Sequence, residues 1–549
     1  MNNKTKNSAS ASGSGNFLMQ GSILAVAGII VRFIGLLYKI PITRALGDDG
    51  IGYFNTAHEI YNVGLILSSY SLPLAMSKLI AARRVKKRHR DVNHVFISGL
   101  IFGTVVGGIM TLLLLFEADW ITTNIFNSPS SALPLKVMAP TIFVFSVMGV
   151  FRGYFQGRGN MIPTSVSQII EQMVNAIVSI TASYLFMSWF AEKENPASYG
   201  AAGATLGTLF GALAAFTFLA VTMVVYYKGN SSRMGKRQKA PEETWGQIYM
   251  ALVLTLTPII LSQFVYQLSG TVDNSLFGLI MGEKGFEEKE RLAMLGIYSG
   301  KYRLLSNVPV AIASSLGTSM IPSIVNSRTM KQHSEVKSKI RLTIKFNMLI
   351  AIPCAVGMGV LSGPVMQLLF RDSRVLTATL MQIGAPAVVF FSLSTVTNSV
   401  LQGIDLMQKS VTHSAISLVI HALLVYVMLA RLNWGVYGLV IGNVTFALVV
   451  CILNWISIGR ALRYRQEVKT TFLLPLLASL IMGIVTLASY TLMHLITHSN
   501  LVSLAVSVPL SMGVYGLLII LLQVVTAEEL PQMPFGMRIL RVCQRVGLM

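Results

Sequence analysis

The sequence predicts an all-α membrane protein with about fourteen transmembrane helices, arranged as two six-helix bundles followed by two C-terminal helices. Of the 549 residues, 53% are hydrophobic and only 12% are charged, a composition that excludes an ordinary soluble protein. Apolar stretches long enough to cross a bilayer follow one another from Phe17 to Val525. In addition, one segment of the first half is repeated in the second.

Short polar breaks separate the predicted helices, and these breaks define the domains. The helices are expected near 17–40, 53–82, 93–116, 133–155, 162–190, 199–227, 246–280, 292–324, 338–362, 375–403, 409–430, 433–459, 471–495 and 500–526. This predicts an N-terminal bundle (17–227), a linker (228–245), a C-terminal bundle (246–459), the last helix pair (460–526), a disordered tail (1–16) and a C-terminal tail (527–549). The first apolar stretch is too long for a signal peptide and is expected to stay as helix 1.

The distribution of Lys and Arg predicts the orientation in the membrane. Alternate loops are strongly basic, at 82–90, 227–239, 328–341 and 459–469. The loops between them are neutral or acidic, at 117–131, 191–200, 282–291 and 497–500. By the positive-inside rule we expect the basic loops and both termini to be cytoplasmic. The rule also accounts for most of the net charge of +21, so no nucleic-acid partner is expected.

An internal repeat supports the two-bundle plan. Segment 139–161 aligns without gaps with 385–407, and eight positions are identical, including the Gln-Gly pair at the turn between two predicted helices. A repeat of six helices has an even number of crossings, so both copies enter the bilayer in the same direction, related by an axis along the membrane normal. Transporters of this build expose the substrate alternately to either side by rocking one bundle against the other.

Several charged side chains fall inside the predicted helices, where each costs free energy unless it faces a cavity or a partner. They are Arg32 and Lys39 on helix 1, Glu59 on helix 2, Glu171 on helix 5, Asp273 on helix 7, and Lys301 and Arg303 on helix 8. Arg32 and Lys39 are nearly two turns apart and lie on one helix face. Lys301 and Arg303 are about 200° apart around their helix, so one of them faces any given cavity wall.

These residues leave alternatives open. Arg32 is predicted to face a cavity or to form a structural ion pair with Glu59 or Asp273. Lys39 and Lys301 lie nearer helix ends, from which a long side chain also reaches the membrane interface. Glu59, Asp273 and Glu171 are candidates for ion or proton coupling or for simple counter-charges. The cations are in the majority, and a cationic cavity favours an anion, especially phosphate or pyrophosphate, which guanidinium groups bind by paired hydrogen bonds.

The remaining residues argue against catalysis. The three cysteines, Cys354, Cys451 and Cys543, form no CxxC or disulfide pattern, and we expect no metal and no cofactor. A membrane glycosyltransferase would need catalytic acids on a sizeable outer loop, whereas the outer loops here are shorter than about 20 residues and carry no such motif. The sequence therefore predicts a protein that is not an enzyme.

Three segments resemble the multidrug/oligosaccharidyl-lipid/polysaccharide (MOP) flippase superfamily, in its polysaccharide-transporter branch with YtgP-, SpoVB- and MurJ-like lipid II flippases. They are AGIIVRFIGLLYKIPITRALGDDGIGYFNTAHEIYNV (27–63), FRGYFQGRGNMIPTSVSQIIEQ (151–172) and KYRLLSNVPVAIASSLGTSMIPSI (301–324). The resemblance implies a central cavity lined by helices 1, 2, 7 and 8. It also implies that Arg32, Lys39 and Lys301 or Arg303 contact the pyrophosphate of an undecaprenyl-linked saccharide.

The resemblance further implies a groove for the lipid tail between helices 13 and 14. The expected function is a flippase that moves lipid II or a similar cell-envelope precursor by alternating access. Membrane lipids, and a coupling cation or the membrane potential, are the other expected partners. Two alternatives stay open, a cation-coupled multidrug antiporter of the same superfamily and a flippase for another polysaccharide precursor. The helix-1 arginine pattern of the MurJ-like proteins is not reproduced in detail, so the resemblance leaves the saccharide undetermined.

Overall fold

The computed structural model describes residues 4–86, 88–234 and 243–526, together with Glu529, Arg541 and Gln544. These residues form helices and no strands, which confirms the predicted all-α fold. The α-helices are α1 (Lys4–Leu65), α2 (Leu72–Val85), α3 (His89–Phe116), α4 (Ala118–Trp120), α5 (Ala132–Met138), α6 (Pro140–Gly157), α7 (Ile162–Trp189), α8 (Pro196–Met234), α9 (Trp245–Glu283), α10 (Glu288–Gly296), α11 (Arg303–Thr329), α12 (His333–Val360), α13 (Ser362–Phe370), α14 (Val375–Gly403), α15 (Met407–Ala430), α16 (Val436–Leu462), α17 (Leu474–Thr497) and α18 (Asn500–Leu521).

Four π-helical segments and one 3₁₀ turn complete the chain in its described part. The π-helical segments are Ile66–Tyr70, Ile121–Ile125, Ile297–Tyr302 and Lys469–Leu473, and the 3₁₀ turn is Pro129–Ser131. The first π segment lies just before Pro73, which has no N–H to donate. There the Ser68 hydroxyl donates to the Gly64 carbonyl over 2.8 Å and the Ser69 hydroxyl to the Leu65 carbonyl over 3.1 Å. Serine side chains thus bond carbonyls where the helical register changes.

All fourteen predicted helices are present, with some changed boundaries. The first two join in α1 and are separated by a break at Gly47, whose φ of 70° and ψ of −175° suit glycine alone. We call residues 4–46 the first arm of α1 and residues 48–65 its second arm. Among the described residues, twelve helical stretches are long and apolar enough to cross a membrane, and one of them, Ile30–Arg84, contains the second half of predicted helix 1 and all of predicted helix 2. The protein is a multi-pass membrane protein.

The ends of the chain differ from the sequence expectation or fall outside it. The tail 1–16 is predicted to be disordered, yet α1 begins at Lys4. Once a long apolar helix has formed, extending it by a residue costs much less than starting a new one, so a helix can continue into polar sequence. Most of the linker 228–245 and of the tail 527–549 lies outside the described residues.

The chain divides into two compact units, Met1–Gly296 (unit 1) and Ile297–Met549 (unit 2). Helices α9 and α10 therefore belong to unit 1, although the repeat assigns them to the second bundle. A group of close backbone contacts, which we call the clasp, explains this division. In the clasp, a Cβ atom on Gly52 would overlap the Leu292 carbonyl, and one on Gly296 would overlap the Asp48 carbonyl. The bundle boundaries 17–227 and 246–459 stay a prediction.

Polar contacts strengthen the clasp. The Glu288 carboxylate accepts a 2.9 Å hydrogen bond from the Ser130 amide and a 3.1 Å bond from the Ser130 hydroxyl. The Arg291 guanidinium donates to the Gly278 carbonyl over 2.6 Å and to the Asn127 carbonyl over 3.1 Å. Helix α10 is thus bound to the chain between α4 and α5 as well as to α1.

Each unit has its own apolar core. In unit 1, Met76, Tyr154, Leu219 and Leu256 are among the buried residues that join α2, α6, α8 and α9. In unit 2, a corresponding core joins α11, α12, α14 and α16, and its members include Ile324, Ile344, Val396 and Ile458. A smaller cluster joins α17 and α18 to α12.

Candidate functional site

The first arm of α1 carries two cations on one face. Arg32 is exposed on this apolar helix, and Lys39, seven residues later, is half-buried. Both residues have interactions within the structure. Because the helix is continuous from Arg32 to Lys39, the predicted common face is present. A guanidinium and an ammonium group therefore lie on one face of a helix that is long and apolar enough to cross a membrane.

The second arm of α1 places aromatic and polar groups near Lys39. Lys39 lies within electrostatic range of the His58 imidazole. That ring stacks between Phe54 and Tyr61, with both centroid distances at 5.8 Å. Among the described residues, His58 Nδ1 and the Tyr61 hydroxyl are buried polar groups with no hydrogen-bond partner. Buried polar atoms are nearly always paired, so these two mark the surroundings of Lys39 as a polar site.

Helix α7 supplies the polar wall beside this face. The Asn175 side-chain amide donates to the Tyr38 hydroxyl over 3.5 Å, and Gln172 packs beside Gly35. A Cβ atom on Gly35 would lie 3.3 Å from the Gln172 amide nitrogen, so the missing side chain lets the two helices approach closely. These contacts hold the face of α1 that carries Lys39 at a fixed position against α7.

Glu171, also on α7, has a cationic partner that the sequence analysis does not identify. Arg152 on α6 donates to the Glu171 carboxylate over 2.7 Å and to the Ser167 hydroxyl over 3.1 Å. Glu171 is also within electrostatic range of Tyr61. The structure therefore places Glu171 in an ion pair inside unit 1, at the edge of the polar site around Lys39.

The other two predicted acids of unit 1 are buried. Glu59 on the second arm of α1 is 9% exposed, and Asp273 on α9 is 0% exposed. Each makes interactions within the structure. Both therefore stay candidates for coupling or for counter-charge.

In unit 2, the buried ammonium group of Lys301 forms an ion pair with the carboxylate of Asp372. Lys301 lies in the π-helical segment Ile297–Tyr302, is 4% exposed, and donates to Asp372 over 2.6 Å. Asp372 also accepts a 2.8 Å bond from the Thr377 hydroxyl and bonds of 3.0, 2.9 and 2.6 Å from the amide and guanidinium of Arg374. The π-helical register sets the direction of the Lys301 side chain within its helix.

The charge state of Asp372 follows from these contacts. Burial disfavours its ionised form, but the hydrogen bonds from Arg374, Lys301 and Thr377 outweigh burial and hold the Asp372 pKa well below its usual range. Arg303, two residues after Lys301, is half-buried, with its guanidinium carbon 5.8 Å from the centre of the Tyr298 ring. The two helix-8 candidates thus have different surroundings.

The structure therefore brings Lys39, His58, Tyr61 and the Arg152–Glu171 pair to one region of unit 1. Arg152 and Asp372 are the residues that sequence reasoning missed. Arg152 lies five residues before the Gln-Gly helix end, where a cation resembles a basic residue that reaches the membrane interface from a helix end. Asp372 lies in the connection between α13 and α14, outside the predicted helices, and its sequence carries no sign of burial.

Comparison with known proteins gives the family. The model of the family described as "Polysaccharide biosynthesis protein" matches residues 17–328, more than half of the chain. The chain belongs to this family. A second family model, MatE, matches residues 258–427. Both matches agree with the MOP superfamily expected from the sequence.

Two curated proteins are similar to this chain over most of its length. Stage V sporulation protein B of Bacillus subtilis (strain 168) is 24% identical over 518 residues, which cover 94% of this chain and 98% of that protein. The lipid II flippase MurJ of the same organism is 26% identical over 487 residues, which cover 85% of this chain and 87% of that protein.

Solved structures show the same fold. A lipid II flippase MurJ in an inward closed conformation matches with a TM-score of 0.64 at 14% identity, covering 90% of this chain and 97% of that one. An inward-facing multidrug resistance MATE transporter of the MOP superfamily matches with a TM-score of 0.62 at 16% identity, covering 80% of this chain and 99% of that one. The MurJ proteins among these are named as lipid II flippases, and the MATE protein is named as a transporter.

Proposed function

We propose that this family member is a flippase that moves an undecaprenyl-pyrophosphate-linked saccharide, lipid II or a similar cell-envelope precursor, across the bacterial cytoplasmic membrane by alternating access. The observation that carries the proposal is the pair of cations, Arg32 and Lys39, on one face of the membrane-spanning first arm of α1. The similarity to a lipid II flippase supports the class of cargo.

The chemistry of the cargo matches this face. A pyrophosphate presents several anionic oxygens, which a guanidinium binds by paired hydrogen bonds and an ammonium binds as a point charge. In the proposed step, Arg32 and Lys39 contact the pyrophosphate, and polar groups such as Tyr61 and His58 line the path of the saccharide. Flipping breaks no covalent bond, so the step needs binding groups and no nucleophile.

The prenyl tail is proposed to stay in lipid against α17 and α18. These helices expose large apolar side chains, among them Ile484, Leu487, Leu495, Leu501 and Met512. Inside the pair, Thr486 and Ser511 share a 2.6 Å hydrogen bond. An apolar outer surface on a tightly packed pair is the surface that a hydrocarbon chain requires.

The proposal assigns different roles to Lys301 and Arg303. In this structure the charge of Lys301 is balanced by Asp372 at 2.6 Å, so contact with the cargo requires that pair to open. Arg303 lies against the Tyr298 ring, outside that pair, and is the helix-8 cation that the proposal assigns to the pyrophosphate.

The proposal includes two sources of directionality. An inside-negative membrane potential favours outward movement of an anion by about 2.3 kcal/mol per charge per 100 mV. The buried acids Glu59 and Asp273 are proposed to couple the return step to a cation or proton. Vesicles without a potential that flip at the full rate would exclude the first source, and full activity of Glu59→Gln and Asp273→Asn variants would exclude the second.

Complementation tests the proposed cargo. The protein is expressed in a bacterium depleted of its own lipid II flippase, and growth is compared for wild type, Arg32→Ala and Arg44→Ala at matched membrane abundance. Arg44 is the matched control because it is an exposed arginine on α1 outside the face of Arg32. Rescue by wild type and Arg44→Ala but not by Arg32→Ala supports the proposal. Absence of rescue by well-expressed wild type would point to another lipid-linked saccharide, and rescue by all three would remove Arg32 from the site.

A second candidate function is a cation-coupled multidrug antiporter. The MatE match at 258–427 and the fully buried Asp273 within it favour this alternative. It predicts that Asp273→Asn abolishes export of organic cations while Arg32→Ala has no effect. The flippase proposal instead predicts that Arg32→Ala impairs transport of the lipid-linked cargo, so the two candidate functions are distinguished at Arg32.

A further inference from the structure

Unit 2 contains a cavity at the helix ends that carry the basic loops. It holds about 390 Å³ and lies where the start of α12, the turn after α14 and the end of α16 meet. We call it the basic pocket, and its lining residues are Arg328, His333, Val336, Lys337, Ile404, Leu406, Arg460, Ala461, Leu462 and Arg463. None of these residues is among those predicted to contact the flippase cargo.

The lining charge of the basic pocket has one sign. Four Lys and Arg side chains and one histidine contribute to its wall, and no carboxylate does. Asp405 at the rim lies 3.6 Å from Arg328, but its side chain is 94% exposed. In the part of the chain that the structure describes, no salt bridge engages Lys337, Arg460 or Arg463. The nearby acids are used elsewhere, since Glu335 pairs with Lys339 over 2.8 Å and Glu467 with Arg341 over 2.8 Å.

Topology alone does not explain this arrangement. The positive-inside rule counts Lys and Arg in loops and requires no particular position for their side chains. Here two segments that are distant in the sequence, 328–337 and 460–463, bring like charges to one concave surface, where their repulsion costs free energy unless an anion neutralises it. The convergence therefore points to an anionic ligand.

The size and lining of the basic pocket limit the class of ligand that it can bind. The volume lies within the range of small-molecule sites, roughly 300–1,000 Å³. Val336, Ile404 and Leu462 add an apolar surface beside the cations. A basic and partly apolar cavity at the ends of membrane helices suits a charged head group whose attached chains enter the bilayer.

We propose that the basic pocket binds a phosphate-bearing anion, supplied by the head group of an anionic phospholipid. The ligand neutralises Lys337, Arg460 and Arg463 and ties the ends of α12 and α16 to the membrane surface. This binding is separate from the proposed flippase function and does not depend on it. A soluble phosphate compound offers the same chemistry, so the experiment distinguishes the two sources.

The test measures binding to the purified full-length protein in neutral detergent. Short-chain phosphatidylglycerol, short-chain phosphatidylcholine and inorganic pyrophosphate are titrated separately at constant ionic strength, and binding is followed by ligand-induced change in the unfolding temperature. The variant is Lys337→Gln/Arg460→Gln. The matched control is Lys409→Gln/Arg465→Gln, which removes the same charge from nearby exposed residues outside the pocket.

We expect phosphatidylglycerol to bind wild type and the control variant with equal affinity. Its affinity for the pocket variant should be lower by a factor of about ten or more. Binding of pyrophosphate alone, with the same dependence on the pocket, would confirm the phosphate chemistry and overturn the lipid source. Equal weakening in both double variants would show general surface attraction and overturn the proposal, as would equal binding of phosphatidylcholine. A Lys337→Arg/Arg460→Lys variant, which keeps the charge, is expected to retain binding and so excludes misfolding as the cause.

Discussion

Lys301 in unit 2 and Arg32 in unit 1 are predicted from the sequence to contact the same anion, yet the structure surrounds them differently. Lys301 is 4% exposed and lies 2.6 Å from Asp372. The Asp372 carboxylate also accepts hydrogen bonds from three N–H groups of Arg374 and from the Thr377 hydroxyl. Arg32 is exposed on an apolar helix. The comparison teaches that a charged residue within a membrane helix is informative about ligands only after its counter-charge has been located.

In contrast to these charged residues, the backbone packs similarly at equivalent positions of the two predicted bundles. The fourth helix of each predicted bundle ends at the glycine of a Gln-Gly pair, Gly157 or Gly403. A Cβ atom on Gly157 would lie 2.8 Å from the Ile80 side chain, and one on Gly403 would lie 3.1 Å from the Ile324 side chain. Close packing of these helix ends is repeated, whereas the placement of the charges is not.

The largest predicted effect is on the buried pair of unit 2. Asp372→Asn leaves Lys301 buried without its counter-charge, and we expect a loss of about 3–5 kcal/mol in stability. Asp405→Asn is the control because that carboxylate is exposed, and it should change stability by less than about 0.5 kcal/mol. Thermal unfolding in detergent measures both. Equal unfolding temperatures for the two variants would show that the Lys301 environment is not structural.

The next effect concerns the clasp of unit 1. Gly296→Ala places a methyl group against the Asp48 carbonyl, and overpacking of this kind costs about 1–3 kcal/mol. Gly108→Ala on α3 is the control because a Cβ atom there meets nothing within 4 Å. Comparing the two unfolding temperatures tests whether α10 is bound to α1. An unchanged Gly296→Ala protein would place α10 elsewhere.

A smaller effect is expected at the Arg152–Glu171 pair, because its side chains are 10% and 20% exposed and partly screened. We expect Arg152→Gln and Glu171→Gln each to cost about 1 kcal/mol, less than Asp372→Asn. A double-mutant cycle with Arg152→Gln/Glu171→Gln measures their coupling. Strict additivity of the two single changes would mean that the pair does not interact in the folded protein.

The smallest effect near neutral pH comes from titration of Asp372. Its folded pKa is lowered, so its contribution to stability is fully present above the unfolded value of about 3.9 and is lost as the pH falls through the folded value. We therefore expect no change from this residue between pH 8 and 5 and a loss of stability below about pH 4. Asp372→Asn should lack this acid-dependent part. Parallel acid profiles for wild type and variant would contradict the assigned pKa.

Much of the fold is predictable from the sequence because each membrane helix needs its own apolar length. The predicted helix 375–403 coincides with α14, and the helix predicted at 162–190 corresponds to α7. The break at Gly47 and the attachment of α10 to unit 1 were not predictable, because both depend on contacts between distant backbone segments. The π-helical segments likewise interrupt helices whose apolar pattern continues through them.

The candidate site is predictable only in part. The sequence predicts that Arg32 and Lys39 share a face, because helix geometry settles it. It cannot show that Lys301 meets Asp372, because these residues are 71 positions apart. Nor can it show the basic pocket, in which each cation by itself looks like one more positive charge in an inside loop.

The most direct test of the flippase proposal is a flipping assay in vesicles of defined composition. An undecaprenyl-pyrophosphate-linked disaccharide is placed in one leaflet under an imposed potential, and its appearance in the other leaflet is followed for wild type, Arg32→Gln and Arg44→Gln, with unfolding temperatures measured alongside. We predict that the flipping rate of Arg32→Gln is lower than that of wild type by a factor of about ten or more, at an unchanged unfolding temperature. The flipping rate of Arg44→Gln should equal that of wild type. Equal rates for all three proteins would contradict the proposal that Arg32 binds the pyrophosphate.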